Sequence, residues 1–111
     1  MSTELVLVLS TSPNSETASK IAKNLVQKKL AACVHVSAPG TSFYSWENKL
    51  CEDQEYQIWV KTKKSLLEPL EAEILAHHPF QTPQILSMPI ESGHPAYLSW
   101  VKENTQDLKN K

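Results

Sequence analysis

The run Leu5-Val6-Leu7-Val8-Leu9 constrains the fold most. A strand sends successive side chains to opposite faces, so five consecutive apolar residues need cover on both sides. Ser10-Thr11-Ser12-Pro13-Asn14 ends the run as a turn. Asn14 or Ser12 can cap the helix that follows, whose apolar residues Ala18, Ile21, Ala22, Leu25 and Val26 recur at helical spacing. Residues 31–36 form a second strand, kinked at Pro39-Gly40 and continued over 41–46. Glu47-Asn48-Lys49 is a polar hairpin tip. Residues 55–62 return as a third strand with Tyr56, Ile58 and Val60 on one face and Gln57, Trp59 and Lys61 on the other. Ser65-Leu66-Leu67-Glu68 matches a capping box and predicts a second helix with Leu67, Leu70, Ile74 and Leu75 inward. Pro79 stops that helix near His78. A fourth strand over 84–90 and a short helix opened by His94-Pro95, with Tyr97, Trp100 and Val101 on one side, complete the order. The tail 105–111 is polar and is expected to fray.

The order is βαββαβ with a terminal helix: an α+β, ferredoxin-like sandwich with a long hairpin between the second and third strands. The 111 residues suit one domain, 1–111. Two helices cover only one face of such a sheet. The first strand is apolar on both, and Trp59 lies opposite the helix-facing set. The bare face therefore predicts cover by further subunits.

Composition excludes several functions. The formal charge is -1, and all 11 cations are lysine. Without arginine the chain lacks the fork that reads phosphate, carboxylate and guanine bidentately, so nucleic-acid binding and phosphoryl transfer are not expected. Glycine occurs only at Gly40 and Gly93, too few for a phosphate-cradling loop, and no nucleophile carries a recognisable base motif. An enzyme is not expected. Cys33 and Cys51 are too few for a disulfide framework. No apolar run is long enough for a signal peptide or a membrane span, from which a cytoplasmic protein is expected.

His77-His78-Pro79-Phe80-Gln81-Thr82-Pro83 is the stretch richest in chemistry. Adjacent imidazoles suit a transition metal. On a helix they point about 100° apart, so they chelate one ion only if the helix ends between them. A helix C-terminus also gives imidazolium a structural role against the dipole. Cys33 and His35 share a strand face, about 7 Å apart. Cys51-Glu52-Asp53-Gln54-Glu55 is an acidic hairpin arm with a thiol. Lys61 and Glu55, on one strand face, are a candidate pair for an anion or a proton. Tyr44, Trp46, Trp59, Tyr97 and Trp100 are rings suited to subunit contacts or to a stacked ligand.

Five collinear segments resemble the divalent-cation tolerance (CutA) proteins: Leu30-Ala31-Ala32-Cys33-Val34, Ser42-Phe43-Tyr44-Ser45-Trp46-Glu47, Gln57-Ile58-Trp59-Val60-Lys61-Thr62, His78-Pro79-Phe80-Gln81-Thr82-Pro83-Gln84-Ile85, and Pro89-Ile90-Glu91-Ser92-Gly93 followed by Tyr97-Leu98-Ser99-Trp100. The resemblance implies a ferredoxin-like subunit in a tight homotrimer shaped like the PII signalling proteins. It also implies a non-enzymatic role in tolerance of divalent metals, copper being bound by some members. The ligand positions it implies fall on Ser10, His77 and His78. Ser10 stands where some members have cysteine, and a hydroxyl is the poorer ligand for copper or zinc. His94 stands where the family usually has a small polar or acidic cap. The other function the fold suggests is a PII-like module with a small ligand or an unknown protein partner at the cleft between subunits.

Overall fold

The structure, a computed structural model, describes residues 3–107. Its elements are β1 (Leu5–Ser12), α1 (Ser15–Gln27), β2 (Cys33–Trp46), β3 (Lys49–Lys63), α2 (Leu67–His77), β4 (Ile85–Pro89) and α3 (Pro95–Glu103). They form an α+β sandwich on one antiparallel sheet of order β2-β3-β1-β4. This is the ferredoxin-like arrangement expected from the element order.

The sheet's two faces differ. On one, Val6, Val8, Ile58 and Val60 pack against Ala18, Ile21 and Leu25 of α1 and Leu70 and Ile74 of α2. Asn14 caps α1, its Oδ1 accepting the Thr17 N–H at 2.8 Å. On the other face, Leu5, Ala32 and Val101 form a smaller cluster with Ile90 and Leu98, so α3 covers one end. Register lines up the remainder: Leu9 lies between Trp59 and Leu86, and Leu7 between Lys61 and Met88. Leu86 is 54% exposed and Met88 38%.

Several expectations change. No capping box forms: Lys64–Leu66 is a 3-10 turn that feeds α2, whose cap, Leu66, makes no side-chain hydrogen bond. Burying Leu66 turns α2, so Leu66, Leu70 and Ile74 face the core and Leu75 is exposed. β3 starts at Lys49 rather than residue 55, because the acidic arm pairs with β2 along its whole length. Trp46 pairs with Lys49, so the tip is Glu47-Asn48, both at positive φ as a two-residue hairpin requires. A register shift between Val36 and Pro39 marks the predicted kink. β4 is limited to Ile85–Pro89. The start of the tail docks: Thr105 is buried, the Gln106 N–H donates to the Lys29 carbonyl at 2.8 Å, and the Lys63 ammonium donates to the Asp107 carboxylate at 2.5 Å. The rest of the expected frayed tail lies outside the described residues.

Candidate functional site around the paired histidines

Pro79 shapes this site. It disfavours helical geometry at His78, which is extended (φ -85, ψ 137) and ends α2. The extended residue turns the His78 ring onto β1. Nε2 donates to the Thr11 carbonyl at 2.7 Å, and Nδ1 accepts the Phe80 N–H at 3.1 Å. These partners place the ring proton on Nε2 and occupy both nitrogens. The ring is buried, and Phe80 stands tilted beside it at 5.0 Å. Ser10 holds the far end of the same connection: fully buried, its hydroxyl donates to the Gln84 carbonyl at 2.6 Å. Ser10 and His78 thus fasten the α2–β4 connection to β1.

His77, the last residue of α2, goes elsewhere. Its Nε2 lies 3.0 Å from Glu73 Oε2 and 3.2 Å from the Asn24 amide of α1. Lys28 of α1 donates to the other Glu73 oxygen, Oε1, at 2.9 Å. The Lys28 ammonium, with a smaller contribution from His77, holds the Glu73 carboxyl below its ordinary 4.5, against burial, which pushes it up. The His77 side chain is 27% exposed.

The three expected ligand positions therefore do not converge within one chain. Ser10 and His78 work in the loop attachment, and His77 works at the α1–α2 seam. Among the described residues, no three His, Cys, Asp or Glu side chains are grouped to hold an ion. Glu73 and Asn24 were not singled out from sequence, although the four-residue step from Glu73 to His77 is the spacing at which helix side chains meet.

The remaining candidates resolve individually. The Tyr97 phenol lies against Cys33; burial chiefly, and then the thiol, push it above its ordinary 10.0. His35 is exposed. Cys51 lies 3.7 Å from the Lys49 carbonyl. Tyr44 donates to Asp53, and this bond is the main reason its phenol is pushed up to about 12. Glu55 accepts the Ser42 hydroxyl at 2.7 Å. Six strand residues separate it from Lys61, roughly 20 Å, so the two do not pair within one chain. His94 caps α3, its Nδ1 accepting the Ala96 N–H at 3.2 Å. Tyr97 and Trp100 stack at 5.7 Å.

Residues 6–104 match the CutA1 divalent ion tolerance protein family. The chain belongs to that family. It is 42% identical over 99 residues to the divalent-cation tolerance protein CutA of Thermus thermophilus, covering 89% of this chain and 96% of the relative. The solved Thermus thermophilus structure superimposes with a TM-score of 0.90 at 41% identity, over 92% of this chain and 99% of that one. CutA1 from Oryza sativa gives 0.91 at 35% identity, over 94% and 95%. The chloroplastic CutA of Arabidopsis thaliana is 40% identical over 102 residues, 92% of this chain. The chain spans only 56% of the length of that relative and of the Mus musculus protein CutA.

Proposed function

We propose that the protein acts in tolerance of divalent cations as a non-enzymatic, cytoplasmic homotrimer that binds a transition metal such as copper through His77. The observation that carries the metal contact is the occupancy of the ring nitrogens. Both nitrogens of His78 are spent on main-chain partners, whereas the partners of His77 all gather at Nε2. The donor set implied by resemblance fits in part: His77 would hold the ion, while Ser10 and His78 would keep the loop that follows it in place. A bound divalent ion would supply charge and Lewis acidity at the end of α2.

The homotrimer rests on the second sheet face. Leu7, Leu9, Trp59, Leu86 and Met88 form an apolar surface that the chain's own helices leave open, and two further copies would bury it. The β2–β3 ribbon carries further exposed apolar side chains, Phe43, Trp46 and Leu50, each more than 60% exposed.

Calorimetric titration of the assembled protein with Cu(II) tests the metal contact. Wild type and His78→Ala, once corrected for folded fraction, should bind alike, and His77→Ala should lose the site. Undiminished binding by His77→Ala would overturn it.

A further inference from the structure

We infer that Glu73 is a positioning residue that locks the tautomer of His77 and so presents Nδ1 to a transition metal. This rests on the reading of His77 as the metal contact.

The chemistry follows from one short contact. An ionised carboxylate only accepts hydrogen bonds. With Glu73 Oε2 3.0 Å from Nε2, that nitrogen must be the donor, and the lone pair of the neutral ring then sits on Nδ1. The Lys28 ammonium, 2.9 Å from Oε1, faces the same carboxylate as a second donor, so both oxygens of Glu73 act as acceptors. Lys28 occupies Oε1 and leaves Oε2 for the imidazole, so each oxygen has one task.

The Asn24 amide fits the same assignment. Its nitrogen is placed 3.2 Å from Nε2, but two donors cannot face each other. The amide oxygen and nitrogen are told apart only by their network, so a protonated Nε2 turns the Asn24 oxygen toward it. Both α1 and α2 then hold the ring by its Nε2 edge.

Nδ1 is left open. It has no hydrogen-bond partner among the described residues, and none of their buried side-chain nitrogen or oxygen atoms lacks a partner. Nδ1 therefore touches solvent. A ring that donates one N–H to a carboxylate and offers the other nitrogen outward is the arrangement by which outer carboxylates orient metal-bound histidines and raise their basicity. His78 is the contrast in the same chain: its acceptor nitrogen is closed by the Phe80 N–H.

The test compares Glu73→Gln, Glu73→Asp, Lys28→Met and His77→Ala with wild type. Calorimetry reads Cu(II) affinity, and long-range proton–nitrogen NMR of the metal-free protein reads the His77 tautomer. Glu73→Gln and Glu73→Asp should retain the wild-type circular dichroism, weaken Cu(II) binding about 10-fold and move the ring toward the Nδ1–H form. Glu73→Asp keeps the charge but withdraws the carboxylate, so its loss reports position rather than net charge. Lys28→Met should keep the Nε2–H form and bind no more weakly than wild type. If His77→Ala abolishes binding while both Glu73 variants leave affinity and tautomer unchanged, the role of Glu73 is refuted and the His77 contact stands. Weakened binding with an unmoved tautomer also refutes positioning. If His77→Ala binds as wild type, the metal contact itself fails.

Discussion

Replacing His78 with alanine should destabilise the protein far more than replacing its neighbour. The imidazole of His78 satisfies the Thr11 carbonyl at 2.7 Å and the Phe80 N–H at 3.1 Å in a buried position. Leaving a buried main-chain group without its partner costs about 1–3 kcal/mol. Water can enter an imidazole-sized gap at the surface end of this site, which favours the lower end of that range for each group. Adding the lost contact with Phe80 gives a net cost of about 2–4 kcal/mol. His77 is different: its bond to Glu73 is a partly exposed pair one helical turn apart, worth about 0.3–0.5 kcal/mol, and its other partner is the Asn24 side chain, so truncation leaves no buried main-chain group unpaired. The assay is urea denaturation of both variants by circular dichroism at one fixed protein concentration, since the stability of an assembly depends on concentration. A His78→Ala cost below about 0.5 kcal/mol, or equal costs for the two variants, would refute the separation of roles built on these hydrogen bonds.

Three further outcomes follow from the same contacts. Thr62 is fully buried and its hydroxyl donates to the Leu30 carbonyl at 2.6 Å, so the near-isosteric Thr62→Val should cost about 1–2 kcal/mol in the same denaturation assay; no change would mean the bond is idle. Light scattering should give wild type a mass near three times the 12.5 kDa chain, and Leu86→Glu, which puts a carboxylate on the apolar sheet face, should reduce it to one chain; a monomeric wild type would contradict the assembly. The Glu73 carboxyl is held below its ordinary 4.5, so its contribution is present above that pH and lost as pH falls through the lower folded value. Glu73→Gln should therefore flatten the acid limb of the stability curve below about pH 4.5, and acid limbs that stay parallel would argue against it.

Much of the architecture was legible because it depends on local period and punctuation. The alternation of Tyr56, Ile58 and Val60 against Gln57, Trp59 and Lys61 identified the faces of β3, and its apolar set is where the helices pack. Asn14 signalled the start of α1, and Pro79 the end of α2. Where patterns were misleading, a longer-range contact decided. Ser65 satisfied the capping pattern, but burial of Leu66 drew the chain into a 3-10 turn first. The acidic stretch 51–55 has no apolar alternation, and it is a strand only because β2 supplies a backbone ladder alongside it.

The site was legible as a location but not as a division of labour. Adjacent histidines at a helix end announce chemistry, yet nothing local says that one ring will find Thr11, 67 residues away, and the other Asn24, 53 residues away. Those partners come from the sheet and from the α1–α2 packing. Ser10, a ligand position implied by the family resemblance, likewise spends its hydroxyl on a distant partner, the Gln84 carbonyl.

Anomalous diffraction at the copper edge from crystals of the assembled protein soaked in Cu(II) is the most direct test of the central claim. A peak within bonding distance of His77 Nδ1, with the His78 bonds to Thr11 and Phe80 intact, is the result expected. A peak coordinated by His78 and Ser10, with those bonds broken, would contradict it.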